Sequence, residues 1–455
     1  MSDRNSSDYF NLDNFDESLD SRDYRRRQSV RRGNSQSGSR PSYNRRPSYN
    51  RRPSYNRRPS NNRRRRRRRR NRTRIRNRIV IVTSFILVIV LLVTLIVLMF
   101  KGCGKKTTPT GVSTDIKAKQ SSLVESTTSA PKTPAPTGDK LSISNFIPAK
   151  PNDDSSMGEA SGAIYVWNRQ GFELFGGSDD MAQAYAETVN DLAGKVSDIN
   201  VYSIIIPNHT EMGLPDRLKN EASTNSQADN IRAAYAAMDS SKVRPINVYN
   251  YLSEHCNEYI YFKSDHHWTG LGSYYAYTAF ADTLGMPTMP LSECTEMTID
   301  GFTGTLTNLA NGLDSDTVHY WHFPYSVSMD ITDSNGSVQS YDSPYYDEEE
   351  SGEYTYGVFI YGDNPLTVLR SSSPNAGQDK KIAVVKESYG NAFVPYLTNN
   401  YQEVHVVDLR SFREVSKDNL ATYCQNNGIT DLLFINGVMS ANNQMHLDSM
   451  TELFK

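Results

Sequence analysis

Apolar positions in the C-terminal two thirds of the chain alternate between strand-like and helix-like spacing. Two short apolar runs, GAIYVW (162–167) and FELFGG (172–177), predict a β-hairpin that turns at residues 168–171. Apolar residues then recur every three or four positions: Met181, Tyr185, Val189, Leu192 and Val196. This spacing predicts an amphipathic helix, which Ser178 or Asp179 opens.

The next segments continue this alternation. The run VYSIIIP (201–207) is short and apolar and ends in proline, which predicts a buried strand. Two further helical patterns follow it: Ile231, Tyr235 and Met238, and then Leu271, Tyr274, Tyr277, Ala281 and Leu284. We expect Thr269 to cap the second of these helices, and Gly285 and Pro287 to end it.

A polar and acidic stretch, residues 325–356, predicts an insertion or a hairpin that leaves the main fold. Behind it, strand-like and helix-like segments follow one another: KIAVV (381–385), a helix from about Tyr389, VHVVD (404–408), a helix from about Ser416, and DLLFIN (431–436). This β-α-β-α-β series predicts an α/β fold with a parallel sheet covered by helices.

One apolar run is too long for a core strand. Residues 79–100 contain no charge, glycine or proline, and are long enough to cross a hydrocarbon layer of about 30 Å as a helix. Residues 1–78 hold 26 arginines against seven acidic residues, whereas the rest of the chain has an acidic excess. Because basic segments stay in the cytoplasm, we expect a single-pass membrane protein with residues 1–78 inside and 101–455 outside.

The arginine-rich tail is repetitive. The hexad RPSYNR begins at residues 40, 46 and 52 and returns as RPSNNR at 58, before a run of arginines at 63–70. Such a composition cannot form a core, so we expect the tail to be disordered and to bind anionic lipid head groups. Nucleic-acid binding is the alternative for this tail, although no specific nucleic acid is expected as a partner.

The segment after the membrane run differs from the rest. Residues 101–140 are rich in Thr, Ser, Lys and Pro and predict a flexible stalk. Residues 141–455 have a globular composition and predict one extracellular domain.

The chain has four cysteines: Cys103, Cys256, Cys294 and Cys424. At most one pair can form within the domain, with a thiol left over, which argues against a disulfide framework.

A serine stands at a chemically useful place in the segment KIAVVKESYGNAFVPYL. Ser388 follows a predicted strand and precedes a predicted helix. The C-terminal end of a parallel strand is where an α/β fold exposes a nucleophile, and free amides and the helix dipole there can hold a developing oxyanion. Capping of the helix is the alternative role for the same hydroxyl. This segment alone does not decide between the two roles.

The segment SDHHW (264–268) offers an acid and a base: Asp265, His266 and His267. A serine nucleophile needs a base, and the base needs an orienting carboxylate. A metal half-site and an ordinary polar turn are the alternatives. The metal is the weaker alternative, because the helical ligand spacing is missing and no Cys, Glu or His cluster stands nearby. His319 and His322 form a second pair, three positions apart.

Two of these segments together resemble a known family. SDHHWTGLGSYYAY (264–277) with the later VVKESYGNAFVPYL (384–397) is similar to the DHHW family of bacterial membrane-anchored proteins. More widely, the pair resembles the SGNH-hydrolase-like domains of alginate and peptidoglycan O-acetyltransferases. Shorter segments support this resemblance: IYVWN (164–168), YSIIIP (202–207), GFTGTL (301–306), YGDNPL (361–366) and VVDLRSF (406–412).

The resemblance implies a fold and three site roles. The fold is a permuted SGNH-hydrolase-like, three-layer α/β fold with a parallel sheet. In this family an acid-x-His-Trp element precedes a strand-end serine, often written Asp-Ser, and the serine here follows Glu387. This spacing assigns the nucleophile to Ser388, the base to His267 and the orienting carboxylate to Asp265.

The remaining site residues are assigned less directly. The Ser388 amide is the expected oxyanion donor, with Gly362 and Asn364 as further candidates for oxyanion or substrate binding. We expect Trp268 to pack against the imidazole and keep it dry. His266 is left as a neighbour without an assigned role.

The resemblance also implies a function. It suggests an extracytoplasmic serine O-acyltransferase or esterase of the bacterial cell membrane, which transfers or removes an acyl group, most simply acetyl. The expected substrate is a cell-surface polysaccharide or peptidoglycan. No cofactor and no metal are expected. Because acetyl-CoA is cytoplasmic, a multi-spanning membrane acyl exporter is implied as a partner.

Two other hypotheses belong to different classes of function. The first is a non-catalytic glycan-binding or scaffold protein on the same fold, which the 28 tyrosines favour because their rings stack on sugars. The second makes the arginine-rich tail the functional part, with the domain as a sensor that signals inward.

Overall fold

The computed structural model describes residues 140–455 except 197, 348 and 350. Its strands, in chain order, are β1 Glu159–Ser161, β2 Ile164–Trp167, β3 Gln170–Glu173, β4 Asn200–Ile206, β5 Val243–Pro245, β6 Thr295–Phe302, β7 Asp316–His322, β8 Val327–Thr332, β9 Val338–Tyr341, β10 Leu366–Ser371, β11 Gly377–Lys386, β12 Tyr401–Asp408 and β13 Asp431–Gly437.

The helices of the described residues are, in chain order, α1 Asp179–Ala193, α2 His209–Gly213, α3 Asp216–Ala222, α4 Gln227–Ala237, α5 Val248–Glu254, α6 Gly270–Leu284, α7 Gly390–Leu397, α8 Phe412–Val415, α9 Leu420–Asn427, α10 Val438–Ala441 and α11 Gln444–Glu452. Short 3-10 turns are also present: Leu291–Glu293, Thr305–Asn308 and Thr355–Val358.

The largest sheet has eight strands in the order β5-β4-β13-β11-β12-β10-β8-β9. Neighbours from β5 to β12 pair in parallel, whereas β10, β8 and β9 extend the sheet by antiparallel pairing. The sheet is therefore mixed. The predicted parallel pairing is confirmed from β5 to β12, and it is wrong for β10, β8 and β9. Two smaller antiparallel sheets consist of β1-β2-β3 and of β6-β7.

The polar stretch 325–356, predicted to leave the fold, supplies two strands of the large sheet, β8 and β9. In β8 buried residues alternate with more exposed ones. Such alternation is typical of an antiparallel strand with one covered face, so a polar composition is compatible with a place in the sheet. β8 and β9 form the expected hairpin, but this hairpin extends the large sheet instead of leaving the fold.

Helices cover both faces of the parallel part. On β4, Ser203 shares a hydrogen bond of 3.1 Å with the Tyr185 hydroxyl of α1. The preceding residue, Tyr202, packs its ring 5.6 Å from that of Phe280 on α6. Because successive residues of a strand point to opposite faces, α1 and α6 lie on opposite sides of the sheet. The fold is therefore a three-layer α/β arrangement.

The predicted hairpin and the first helices are confirmed. Strands β2 and β3 pair antiparallel, and β4 covers the apolar run 201–207. The side chain of Ser178 caps α1, and that of Thr269 caps α6, each by accepting a backbone hydrogen bond. Gly285 ends α6 with a φ of +66°, a left-handed conformation that favours glycine.

One predicted helix start is confirmed and one is corrected. α7 begins at Gly390, one residue after the predicted start, and no side chain caps it, so Ser388 does not serve as the N-cap. α9 begins at Leu420 rather than near Ser416, because the Asn419 side chain caps it by accepting a hydrogen bond from the backbone. The missing cap at α7 leaves the Ser388 hydroxyl available for another partner.

The cysteines of the described part are free thiols: Cys256, Cys294 and Cys424. Cys424 is fully buried, and burial raises its pKa to about 12. No disulfide framework holds the described residues, as the small number of cysteines predicted.

The predicted tail, the predicted membrane span at 79–100 and nearly all of the predicted stalk lie outside the described residues. Within residues 140–455, apart from the three positions named above, none of the helices combines the length and the apolar character needed to cross a membrane.

Candidate active site

The SDHHW segment lies in a tight loop between α5 and α6. Tyr261 and Trp268 form an antiparallel bridge, and the Phe262 amide donates a hydrogen bond of 3.2 Å to the carbonyl oxygen of His267. The backbone therefore folds back on itself, with residues 263–266 at the tip of the loop.

A buried carboxylate on β7 holds this tip. Asp316 accepts hydrogen bonds of 2.9 Å from the amides of Lys263 and Ser264, and one of 2.5 Å from the Ser264 hydroxyl. Burial raises the pKa of Asp316, although these hydrogen bonds act in the opposite direction. Asp316 thus fixes the backbone immediately before Asp265.

The turn that carries the serine is organised by its neighbour, Glu387. One oxygen of the Glu387 carboxylate accepts the Tyr389 amide at 2.9 Å, and the other accepts the Gly437 amide at 2.8 Å. Gly437 is the last residue of β13, so Glu387 joins the C-terminal ends of two neighbouring parallel strands. Ser388 is held at this edge of the sheet, where α/β folds place their ligands.

Three side chains meet between the loop and the strand end. His267 Nε2 lies 2.7 Å from Ser388 Oγ, and His267 Nδ1 lies 2.6 Å from Asp265 Oδ1. The side chains of His267 and Asp265 are 4% and 3% exposed, and Ser388 is half-buried. The carboxylate is at the inner end of this hydrogen-bonded series and the hydroxyl at the outer end. This is the order needed by a serine nucleophile with a base and an orienting acid.

The second oxygen of Asp265 is held by the GFTGTL segment. Asp265 Oδ2 accepts the amide of Thr305 at 2.9 Å and its hydroxyl at 3.1 Å. The preceding residue, Gly304, passes so close that a Cβ there would lie 2.2 Å from the Cβ of Asp265. The close approach therefore requires glycine.

The carboxyl group of Asp265 is ionised. Burial alone would raise the pKa of Asp265, but the charges of His266 and His267 and the hydrogen bonds that it accepts hold this pKa well below its usual value. A charged carboxylate at this distance from Nδ1 orients the His267 ring and stabilises positive charge on it.

Aromatic rings enclose the imidazole. The ring of Tyr356 stacks on that of His267, with centroids 4.0 Å apart and planes at 9°. Trp268 is fully buried, and its indole N–H donates a hydrogen bond of 2.9 Å to the carbonyl oxygen of Tyr389. Tyr356 thus covers one face of the imidazole, and Trp268 joins the loop to the turn before α7. That Trp268 packs against the imidazole and keeps it dry stays a prediction.

The two adjacent histidines have different contacts. His266 Nδ1 lies 2.8 Å from the Thr305 hydroxyl, and the backbone carbonyl of His266 accepts a hydrogen bond from the hydroxyl of Tyr389. His266 therefore supports the surroundings of Asp265, whereas His267 contacts Ser388.

Three side chains of the SDHHW loop are close enough together to be possible metal ligands. The ligand atoms of Asp265, His266 and His267 all lie within 4.8 Å of one another. The hydrogen bonds described above account for Asp265 and for both ring nitrogens of His267 without an ion. His319 and His322 pair with separate carboxylates and are three residues apart on β7, so they do not converge on one face. That the site holds no metal stays a prediction.

The two candidate oxyanion residues belong to a turn of their own. The Gly362 amide donates to the Phe359 carbonyl at 3.0 Å, and the Asn364 side chain donates to the Tyr361 carbonyl at 3.1 Å. Both donors have partners within this turn, and a role of Gly362 or Asn364 toward an oxyanion or a substrate stays a prediction.

Asp363, between those two residues, belongs to a buried ion cluster. Lys386 is fully buried, and its Nζ lies 2.6 Å from Asp363 and 3.0 Å from Asp408. Arg410 contacts the same two carboxylates at 2.7 and 2.6 Å. Asn391 of α7 donates a hydrogen bond of 2.9 Å to Asp363. The cluster thus joins the end of β11 to β12 and to the first turn of α7.

The backbone at the start of α7 leaves one amide for a ligand. Both the Tyr389 and the Gly390 amides donate to Glu387, one to its carboxylate and the other to its carbonyl oxygen. By contrast, the amide of Ser388 donates no hydrogen bond to any residue in the described part of the chain. That the Ser388 amide meets an oxyanion stays a prediction.

Sequence reasoning missed several residues that hold this site: Thr305, Asp316, Tyr356 and the structural role of Glu387. The GFTGTL segment supports the family resemblance, but its sequence does not indicate that Thr305 contacts Asp265. Asp316 and Tyr356 come from a strand and a turn far along the chain, and nothing in their immediate sequence points to the SDHHW loop.

Solved structures show the same fold. A crystal structure of a DHHW family protein from Eubacterium siraeum DSM 15702 has 28% sequence identity and a TM-score of 0.57, and the match covers 66% of this chain and 99% of that one. The structure of Bacillus cereus PatB1 with a sulfonyl adduct has 20% identity and a TM-score of 0.52, over 64% of this chain and 98% of PatB1. Because the identity with PatB1 is only 20%, this likeness shows a shared fold and nothing more.

The sequence itself matches a family. Residues 145–407, more than half of the chain, match the family described as DHHW protein. This match contains SDHHW, Ser388 and the GFTGTL segment. The comparison with curated proteins gives no match. The chain belongs to the DHHW family.

Proposed function

We propose that this protein is a serine acyltransferase or esterase that uses Ser388, His267 and Asp265. The observation that carries the proposal is the hydrogen-bonded series of these three side chains, with 2.7 Å between His267 and Ser388 and 2.6 Å between His267 and Asp265. Its placement at the C-terminal edge of the parallel strands, with the hydroxyl as the most exposed member, adds support.

The first half-reaction forms an acyl-enzyme. His267 Nε2 takes the proton of Ser388 as Oγ attacks the carbonyl carbon of an acyl ester, and the carbonyl oxygen becomes an oxyanion. The Ser388 amide is placed to donate to this oxyanion. His267 then gives the proton to the leaving alcohol as the carbon–oxygen bond breaks, and the acyl group stays on Ser388.

The second half-reaction frees the enzyme. The hydroxyl of an acceptor attacks the acyl carbon while His267 takes the acceptor's proton. The bond to Ser388 Oγ then breaks and the serine recovers a proton from His267. A glycan hydroxyl as acceptor gives transfer, and water gives hydrolysis. Asp265, ionised and buried, keeps Nδ1 of the imidazole protonated throughout.

The fold relatives support a reactive serine. PatB1 shares the fold and is known as a structure with a sulfonyl adduct. Sulfonyl groups react with activated nucleophiles, so we infer that this chain reacts with sulfonyl reagents at Ser388.

The setting of the reaction is part of the proposal. We propose a permuted SGNH-hydrolase-like fold anchored by a membrane helix at residues 79–100, with the domain outside a bacterial cell and a cell-surface glycan as acceptor. A membrane acyl exporter would supply the acyl group, and anionic lipids would hold the arginine-rich tail. The basic excess of residues 1–78 and the uncharged run after them support this orientation.

A turnover assay tests the enzymatic proposal. The full chain in detergent is incubated with an activated acetyl ester, with and without a soluble glycan as acceptor, beside the Ser388→Ala variant. We expect acetate release or acetyl transfer that the variant loses while its thermal unfolding is unchanged. Absence of turnover in the unaltered protein, together with retained glycan binding, would instead favour the non-catalytic binding protein.

A further inference from the structure

Tyr356 contacts both the base and the nucleophile's backbone. Its ring stacks on the imidazole of His267 at 4.0 Å, with the two planes nearly parallel at 9°. Its hydroxyl donates a hydrogen bond of 3.2 Å to the carbonyl oxygen of Ser388. One side chain therefore spans the two elements that meet in the site, the SDHHW loop and the turn after β11.

The position of Tyr356 is well fixed. It lies in the 3-10 turn Thr355–Val358, where the Thr355 hydroxyl bonds with both the amide and the carbonyl of Gly352 at 2.9 Å. The edges of its ring meet Phe262 and Phe359, with ring centroids 6.1 and 5.3 Å away. A ring held in this way can impose its plane on the imidazole beside it.

Hydrogen bonds alone do not set the tilt of the imidazole, which also meets the rings of His266, Tyr356 and Tyr389. Hydrogen bonds at Nδ1 and Nε2 fix the two ends of the His267 ring, but they constrain rotation about the line between those ends weakly. The Tyr356 ring covers one face and restricts that rotation. Its π-electrons also attract the positive charge that His267 gains on taking the Ser388 proton, an attraction that is stronger in a dry site.

We propose that Tyr356 is a positioning residue: its ring sets the plane of His267 and favours the imidazolium, and its hydroxyl holds the Ser388 backbone. This inference rests on the proposed function, because the imidazolium forms in the proposed reaction. The ring and the hydroxyl have separate effects, which two substitutions distinguish.

The charged and titratable groups around His267 are consistent with this role. Asp265 and His266 belong to its own loop, and Glu387 and Tyr389 come from the turn after β11. Burial raises the pKa of Tyr356 well above its usual value, and the charges of Asp265 and Glu387 add to this effect. The Tyr356 hydroxyl therefore stays neutral and remains a hydrogen-bond donor.

The test uses the full chain in detergent with Tyr356→Leu, Tyr356→Phe and a control, Phe412→Leu. The control also removes a fully buried aromatic ring, and the ring contact of Phe412 is with Tyr423 rather than with Tyr356 or His267. Exchange of the imidazole C2 hydrogen, followed by mass spectrometry, gives the titration midpoint of His267 without any need for turnover.

A second readout is the rate at which phenylmethanesulfonyl fluoride modifies Ser388 as a function of pH. In this step Ser388 Oγ bonds to sulfur, the sulfur–fluorine bond breaks, fluoride leaves and His267 takes the serine proton. It therefore reports on the same base as the proposed acyl transfer.

We expect Tyr356→Leu to lower the titration midpoint of His267 and to slow the sulfonylation about tenfold. This is the size of change expected when a buried cation loses its contact with an aromatic ring. Tyr356→Phe should keep the midpoint, because it keeps the ring, and should slow the reaction less. Phe412→Leu should leave the titration midpoint of His267 unchanged.

Two outcomes separate this inference from the proposed function. If Tyr356→Leu and Phe412→Leu have the same midpoint and the same rate, Tyr356 only fills space and the inference is wrong. If the unaltered chain is not sulfonylated at Ser388 but Tyr356→Leu still lowers the midpoint, the contact with His267 is supported while the proposed reaction fails.

Discussion

At the scale of single residues, the two histidines of SDHHW differ in what they contact. His267 lies between Asp265 and Ser388, whereas His266 bonds to the Thr305 hydroxyl. We predict that His267→Gln lowers turnover by about 10²–10⁴-fold, the usual loss for a general base. His266→Gln, which keeps a hydrogen-bonding side chain beside Thr305, should cost less than about tenfold.

The comparison uses acetyl-ester turnover with both variants at equal concentration and their far-ultraviolet circular dichroism as a control for folding. Equal losses in two folded variants would remove the distinction between the histidines.

Asp265 gives a prediction about pH and stability. The pKa of Asp265 is depressed in the folded protein, so its charged form stabilises the fold fully at neutral pH. This contribution is lost as the pH falls from about 4, where the unfolded chain takes up a proton, through the lower folded pKa. We predict that Asp265→Asn destabilises the protein at pH 7, and that the difference from the unaltered protein shrinks below about pH 4.

Urea unfolding at several pH values measures that difference. Asp448→Asn, on the exposed side of α11, serves as the control because it removes a carboxylate away from the site. A destabilisation by Asp265→Asn that stays constant from pH 7 to pH 3 would show that the ionised carboxylate is not the source.

At the scale of elements, two of the three lysines on strand β11 lie in very different surroundings. Lys386 is fully buried between Asp363 and Asp408, and Lys381 pairs at 3.2 Å with Glu403 where both side chains are about a quarter exposed. Burial alone would lower the pKa of Lys386, but the two carboxylates outweigh this and raise it. Lys386 is therefore charged inside the protein.

We predict that Lys386→Met destabilises the protein by about 3–5 kcal/mol, because it leaves two buried carboxylates with Arg410 as their remaining cation. Lys381→Met in the same strand should cost about 1 kcal/mol or less, as for other surface pairs. Urea unfolding gives both free energies. Similar values for the two variants would mean that the buried cluster contributes no more than a surface pair.

The sequence predicted those elements whose periodicity is local. The β-α-β-α-β series, the hairpin of β2 and β3 and the caps at Ser178 and Thr269 follow from spacing and capping preferences. It did not predict that β10, β8 and β9 extend the sheet, because a polar strand covered on one face has little to distinguish it from a loop.

The site residues divide in the same way, into those that the local sequence identifies and those that it does not. Ser388 and the SDHHW segment stand out because their residue types are those of base-activated catalysis. The contacts that hold them, from Thr305, Asp316 and Tyr356, join residues tens of positions apart. Such contacts depend on tertiary packing, and no local preference in the sequence encodes them.

At the scale of the whole molecule, opposite charges are separated along the chain. The 26 arginines of residues 1–78 precede the uncharged run at 79–100, and the acidic excess follows it. We predict that the tail faces the cytoplasm and that residues 140–455 face outward. Protease added to intact cells should cleave epitope tags in the domain and spare a tag at the N-terminus. Protection of the domain would reverse the orientation.

The central claim is that Ser388 is a nucleophile activated by His267. The most direct measurement is covalent labelling of the full chain with a sulfonyl fluoride, followed by proteolysis and mass spectrometry of the peptide that contains Ser388. We expect one adduct on Ser388, absent in Ser388→Ala and formed far more slowly in His267→Gln. No adduct on Ser388, under conditions that label a known serine esterase, would contradict it.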